Sequence, residues 1–442
     1  MFHPDISGSA ELASLESTVS DFQTMQLARA ESQLVVINNT VVYFISSPLE
    51  PPVDPLQTAL PSLELSSFLA AVFSTSIAEV IKKMPRATFL IPHNAAFKRL
   101  GKLVSDHLLA ASSKADLENV IMHHIIDGIE YSQSLVNGSL RTFATFEGSD
   151  LQLERLSNSS LIVSPSGGWA GMKSALYPTN MLTETGVIHE LSDLMIPRSV
   201  ELNVGKLMKA AKATTMINMV TKAGFDWILN GTAPPEGSEW ADNGLGGASW
   251  TLLCPTDDAF KNYNLTQLLE NIDILRALVS QHLIGTSPSV GESGLFDVFD
   301  VLNNNRPLPL EDLGEYPTLL SPSSAYGDIV FRALDDKVTQ YMVGIKNARG
   351  TDKQADWARV LTWGRATTGG GTGGVITIDR MLVPYHPPWW IEYFAPSFVG
   401  ALGVGSICLF FYAVRRVWKR DVTEATYEPV GGFGQDDSDE SL

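Results

Sequence analysis

Two distant stretches of this chain repeat one pattern. Thr88 to Phe97 reads TFLIPHNAAF and Thr251 to Phe260 reads TLLCPTDDAF, each a strand-like apolar run closed by a proline, a polar pair and, one residue on, Ala-Phe. Each is followed by a second shared segment, TGVIHELSDLMIP at Thr185 to Pro197 and GGVITIDRMLVP at Gly373 to Pro384. Whatever this chain folds into must therefore be built twice. The period far exceeds the roughly 20–50 residues of a solenoid repeat and suits a whole domain.

Between the two segments of each copy lies a third, HHIIDG at His123 to Gly128 and the shorter HLIG at His282 to Gly285. In this order and spacing the three segments resemble the signatures of fasciclin-like adhesion domains. The resemblance implies an α+β fold, a wedge-shaped β-sandwich with flanking helices, and a non-enzymatic role in adhesion or in binding other proteins or glycans. The copies depart at the polar pair and at the closing histidine. His93-Asn94 stand where the second copy has Thr256-Asp257, and His189 is matched by Ile376. A further partial copy, TVVYFISSPLEP at Thr40 to Pro51, aligns with Gly186 to Pro197. The expected organisation is the C-terminal part of an incomplete module at 1–52, a full module at 53–198, a second with inserted loops at 199–386, a transmembrane helix at 393–414 and a disordered cytosolic tail at 415–442.

Apolar periodicity predicts helices at Ser67 to Ile81, Ala95 to Leu103, Leu117 to His124 and Val204 to Phe225, the last ended by Gly224. Alternation predicts strands at Ser139 to Phe146 and Ser149 to Leu156. Asn230 to Ser249 has the Gly, Pro and polar content of a loop inserted ahead of the second opening strand.

Tyr393 to Val414 runs 22 residues without a charge, enough to cross a hydrocarbon core of about 30 Å. Trp389, Trp390 and Tyr393 flank it on one side and Arg415, Arg416, Lys419 and Arg420 on the other, which places the tail in the cytosol. The modules then lie across the membrane, and a lone C-terminal span is a poor device for exporting so long a segment. Met1-Phe2-His3-Pro4-Asp5 has neither a basic nor an apolar leader region. The expectation is a single-pass type I membrane protein with a truncated N-terminus and an upstream signal sequence. Its rival is a tail anchor with cytosolic modules, against which the basic flank argues.

Composition fits a folded ectodomain: 44% hydrophobic and 18% charged residues supply packed cores, and a net charge of -18 argues against nucleic acid as a partner. Asn-x-Ser/Thr triplets at Asn38, Asn137, Asn158, Asn230 and Asn264 all precede the span and are candidates for N-glycosylation on the lumenal side. Such triplets also arise by chance, and topology decides. Cys254 and Cys408 stand in an opening strand and in the span, so no disulfide framework holds the modules. Each must stand on its hydrophobic core.

The opening motif reads structurally. Pro255 ends a strand, Thr256 caps the helix that follows, Asp257 and Asp258 fall in its first turn, and Phe260 faces the core. An acid–base or metal role for the two aspartates lacks a His or Glu cluster, and Asn94-Ala95 fill their places in the first copy. Cys254 reads as a small buried hydrophobe. Gly369, Gly371 and Gly374 have the spacing of a dinucleotide loop but precede a strand instead of following one, which makes them a flexible loop. His124 and His282, at equivalent helix ends, read as core or hydrogen-bonding histidines. Arg349-Gly350-Thr351-Asp352 carries an insertion relative to an Arg-Gly-Asp adhesion site and is not counted as one. No cofactor or metal site is expected. The alternative from another class is a lumenal hydrolase assembled around His189 and a nearby Ser or Asp.

In the tail, Tyr427-Glu428-Pro429-Val430 fits Tyr-x-x-bulky apolar, which resembles the signals read by vesicle-coat adaptors. Tyr427 and Val430 are the candidate sorting residues. They favour vacuolar or endomembrane residence, with the plasma membrane as alternative.

Overall fold

The apolar residues of each opening run have two faces to bury, and the architecture supplies a cover for both. The structure, a computed structural model, describes residues 51–169, 171–242, 249–261, 263–286, 306–334, 340–348, 357–387 and 394–423, together with two short strands at 35–37 and 40–42. Those strands, β1 (Val35–Ile37) and β2 (Thr40–Val42), pair antiparallel. Apart from Pro51 and Pro52, the rest of the expected partial module lies outside the described residues.

The first module opens with α1 (Pro55–Ala59), α2 (Ser66–Phe73) and α3 (Ala78–Lys82). Periodicity had suggested one helix from Ser67 to Ile81, but Ser74 and Thr75 turn their hydroxyls back onto the carbonyls of Ala71 and Val72 and end α2. Then come β3 (Ala87–Pro92), α4 (Asn94–Arg99), α5 (Lys102–Leu108), α6 (Lys114–His123) and β4 (Ile125–Asp127). Five strands complete the module: β5 (Leu140–Ala144), β6 (Asp150–Arg155), β7 (Leu161–Pro165), β8 (Ser174–Leu182) and β9 (Gly186–Leu191).

The second module repeats the plan with α7 (Val204–Ala210), α8 (Thr214–Lys222), α9 (Asp226–Asn230) and α10 (Glu239–Asp242). β10 (Ser249–Pro255), α11 (Leu265–Glu270), α12 (Ile272–Gln281) and β11 (Leu283–Thr286) follow, then β12 (Glu315–Tyr316), β13 (Ile329–Ala333), β14 (Tyr341–Ile345), β15 (Ala358–Arg365) and β16 (Gly374–Ile378). The predicted helix from Val204 to Phe225 is two helices. Lys212 takes a left-handed φ of 57°, while the N–H groups of Lys212 and Ala213 bond to the carbonyls of Lys209 and Met208. That is the Schellman termination, here on a lysine. Gly224 and Phe225 make the same pair of bonds to Thr221 and Val220, so α8 does end at the glycine.

Strand order is the same in both seven-stranded sheets, β4-β3-β9-β8-β7-β6-β5 and β11-β10-β16-β15-β14-β13-β12. Opening and closing strands pair in parallel and their other neighbours antiparallel. Bridges Ile126–Thr145 and Ile284–Thr318 draw the two edges of each sheet together into a barrel-like closure. The parallel register puts Leu90 opposite His189 and Leu253 opposite Ile376, so the two closing positions are equivalent, as the motif alignment had them.

Alternate residues of β3 and β10 leave on opposite sides. Leu90 and Leu253 enter the two sheet interiors, with Leu151 and Val163 in the first and Phe331 and Val343 in the second. Phe89, Ile91, Leu252 and Cys254 go the other way, into the core under the helices, where Phe260 is buried and Phe97 is half-buried. With both faces covered, every residue of β3 and β10 is buried.

The helical core is continuous through both modules. At its seam a Cβ on Gly364 would stand 2.8 Å from Leu103 Cβ and 3.2 Å from Leu207 Cδ2, and a Cβ on Gly101 would stand 2.8 Å from the Trp363 carbonyl oxygen. Trp169 Nε1 donates to the Arg365 carbonyl at 3.3 Å, and the Arg365 guanidinium lies 5.7 Å from the centre of the Trp169 ring. Residues up to Pro384 form one packing unit. The unit from Tyr385 onward contains α13 (Ala395–Thr423).

Candidate functional site

The polar pair of the opening motif does structural work different from the one expected. Thr256 precedes the helical turn Asp257–Phe260 but makes no side-chain cap bond. Instead Asp257 accepts from the Thr215 N–H at 3.0 Å and from the Thr214 hydroxyl at 2.7 Å, tying down the start of α8. Asn94, its equivalent, accepts from the Ser67 N–H at 2.7 Å at the start of α2 and donates to the Leu63 carbonyl at 2.7 Å. Burial opposes the charge on Asp257, but the bonds from Thr214 and Thr215 outweigh it and hold the carboxyl below its ordinary value. Asp258 is exposed and pairs with Lys261 at 2.7 Å.

The middle histidines also act in parallel. The rings of His124 and His282 use Nδ1 to donate to the carbonyls of Val120 and Leu278, at 2.7 and 2.8 Å. Their Nε2 atoms accept from the N–H groups of Met195 and Leu382, at 3.1 and 3.0 Å. Each therefore links a helix end to the segment leaving the closing strand.

His189 is not a catalytic base. It is 2% exposed; Nε2 donates to the Glu130 carbonyl at 2.9 Å and Nδ1 accepts from the Asn180 N–H at 3.4 Å. Both ring nitrogens are spent on backbone, and burial holds the ring neutral. Cys254 is fully buried, which pushes its thiol far above the ordinary range. The glycine turn proves to be a built feature: Gly369, Gly370 and Gly371 have φ of 65°, 79° and 71°, Ser249 bonds to the Gly369 carbonyl, and Arg365 Nε reaches the Gly371 carbonyl at 2.7 Å. Among the described residues no group of His, Cys, Asp and Glu could hold a metal ion.

Sequence reasoning missed a 420 Å³ cleft between the modules, lined by α5, the start of α6 and α7. In it Ser113 Oγ lies 3.3 Å from His107 Nδ1, His107 Nε2 lies 2.9 Å from Asp116 Oδ2, and Lys206 of the second module reaches the same oxygen at 3.3 Å. Asp106, Asp116, Lys206 and Lys209 leave it with balanced charge. No local pattern links Asp116 to Lys206. The contact exists because α5 packs on α7.

The family model of the fasciclin domain matches residues 63–197 and again 211–295, the stretches that hold the paired opening and middle motifs. The chain belongs to the fasciclin-domain family. Human periostin is 24% identical to it over 229 residues, 52% of this chain and 24% of periostin. A fasciclin-like arabinogalactan protein of Arthroderma benhamiae is 26% identical over 166 residues, 37% of this chain and 35% of that protein. The match thus spans about a quarter and about a third of those two relatives. A solved FAS1 domain pair from the insect cell adhesion molecule fasciclin I aligns at 14% identity over 72% of this chain and 96% of that one, with a TM-score of 0.27.

On the fasciclin modules the triplet residues Asn137, Asn158, Asn230 and Asn264 are all exposed. Asn158 and Asn264 accept through Oδ1 from Ser160 and Gln267, bonds that do not involve the amide nitrogen a glycan would take. Asn38, Tyr427 and Val430 lie outside the described residues. Within α13, residues 397–419 have a mean hydropathy of 2.0 and are long and apolar enough to cross a membrane.

Proposed function

We propose that this is a non-enzymatic, single-pass membrane protein whose paired fasciclin modules mediate adhesion or bind proteins or glycans at a membrane surface. The observation that carries this reading is one chain holding two fasciclin modules packed as a unit and an apolar helix of spanning length. The module boundaries 53–198 and 199–386 and the partial module 1–52 belong to the proposal. Type I orientation is supported by the four cations that follow Val414 and by all five triplets preceding the span. The full chain, displayed on non-adherent cells, should capture those cells on matrix, glycan or like-cell surfaces. Capture no better than that by a chain lacking residues 53–384 sinks the adhesion reading. Protease added to sealed vesicles should remove only the tail; a protected tail with digested modules establishes the opposite orientation.

Residence is proposed from the tail, where Tyr427 and Val430 supply the side chains an adaptor takes from an extended strand. Vacuolar or endomembrane residence follows, and Tyr427→Ala should move the tagged protein to the cell surface. An unchanged distribution removes the sorting role. A second reading, hydrolysis, shifts with the geometry from His189 to Ser113, His107 and Asp116, whose order matches a nucleophile, its base and the group that orients it. A fluorophosphonate probe that leaves Ser113 unlabelled eliminates it.

A further inference from the structure

Asn230 directly precedes two wall residues of a second cavity, of 250 Å³, whose walls include Gly231, Thr232, Ser249, Trp250, Thr368 and Gly369. Two of those residues belong to the Asn230-Gly231-Thr232 triplet itself. Asn230 is the exposed last residue of α9, so a group bonded to its amide nitrogen starts one residue from the cavity wall. Gly231 turns the chain with a φ of 69°, and a Cβ there would lie 2.6 Å from Thr368 Oγ1. The triplet is therefore held tightly against the opposite wall. The residues of the Asn137, Asn158 and Asn264 triplets line neither this cavity nor the inter-module cleft.

The lining has the chemistry of a sugar subsite. Threonine and serine hydroxyls and the left-handed backbone at Gly369 and Gly370 surround an indole. Trp250 is 8% exposed, and its Nε1–H is buried with no acceptor among the described residues. Trp227 packs against it edge to face at 5.8 Å and 85°, fixing the ring. The cavity lies just below the roughly 300–1,000 Å³ of drug-sized sites, room for one monosaccharide and not a chain of them. An N-acetylglucosamine offers apolar ring faces to the indole, and hydroxyl and acetamido groups to the polar part of the wall.

We propose that the first N-acetylglucosamine of a glycan on Asn230 seats in this cavity against Trp250 and pins the end of α9 to the turn between β15 and β16. The inference rests on the extracytoplasmic placement of the modules. Attachment exchanges one N–H of the Asn230 amide for a bond to the anomeric carbon of a lipid diphosphate-linked oligosaccharide. The lipid diphosphate leaves with the proton, and no redox partner is needed.

The test uses the full chain from a eukaryotic secretory host, with site occupancy by mass spectrometry and amide hydrogen exchange over residues 249–250 and 366–370. The folded protein is compared intact, trimmed by an endoglycosidase to one N-acetylglucosamine, and stripped by a peptide N-glycosidase, alongside Asn230→Gln and Asn158→Gln. Exchange should slow by at least about threefold in the intact and single-sugar forms relative to the stripped and Asn230→Gln forms, and Asn158→Gln should behave as wild type. An occupied Asn230 without protection overturns the proposal, as does protection that is lost on trimming to one sugar. Glycans at Asn137 and Asn158 with Asn230 bare overturn it while leaving the topology intact; no glycan on any triplet removes the topology as well.

Discussion

Asn94 and Asp257 place an amide and a carboxylate in one task, holding the first N–H groups of a helix across a gap in sequence. Capping of this kind needs an acceptor oxygen, but both Asp257 oxygens accept, and its lowered carboxyl means that these bonds favour the charged form. Asp257→Asn should therefore cost about 0.5 kcal/mol and Asp257→Ala about 1 kcal/mol, read from urea midpoints of the module pair. Equal losses from the two variants would show that the remaining amide oxygen contributes nothing. Gly186 and Gly373 are a second equivalent pair: a Cβ would lie 1.7 Å from the Ala87 carbonyl oxygen in one and 2.3 Å from that of Trp250 in the other. Alanine at either must part the opening and closing strands, an overpacking cost of about 1–3 kcal/mol or more. Unchanged thermal midpoints for both variants would contradict that close approach.

The helices that precede β4 and β11 end in buried neutral histidines, and this gives the elements a pH dependence. Burial lowers His124 to about 3 and His282 to about 4. It also lowers His123, against the pull of the neighbouring Glu147. In the unfolded chain each titrates near 6.5. The stabilisation is therefore complete above about pH 6.5 and is lost as pH falls, because the unfolded chain takes up protons that the folded one refuses. The limiting slope is about 1.4 kcal/mol per pH unit for each histidine, ending near the folded values. The urea midpoint of the module pair should drop between pH 7 and pH 5. A His124→Gln, His282→Gln double variant, which keeps a donor and an acceptor at each site, should flatten that drop. An equal slope in the variant would assign the acid sensitivity elsewhere.

Across the whole molecule, the two modules share a helical core, sealed where α5 of the first meets α7 and β15 of the second. Cutting them apart would expose Leu103, Val104 and Leu207, all buried now. The pair should unfold in one cooperative transition by calorimetry and by fluorescence. Gly364→Val drives a branched side chain against Leu103 and Leu207, and should lower stability by about 1–3 kcal/mol or split the transition in two. Two transitions in the wild type would mean that the seam contributes little. A coupled pair also gives the proposed adhesion role a geometry, since a partner then meets one rigid body and not two beads on a linker.

The repeat, its α+β plan and the long apolar helix were legible in the sequence because each rests on residues close together in the chain. The proline, the Ala-Phe pair, the helix-end histidine and the closing Gly-Val-Ile pattern answer to local backbone geometry and to the period of a strand. Helix boundaries were less legible, since Lys212 stops a helix through a left-handed turn that glycine usually makes. Tertiary structure alone decided what the polar residues do. Asp257 caps a helix that lies earlier in the chain, His189 gives both nitrogens to backbone, and Lys206 reaches Asp116 only because α5 packs on α7. The direction of a side chain follows from its own backbone. The group it meets depends on segments whose spacing along the chain carries no period, and packing of the whole core brings those segments together.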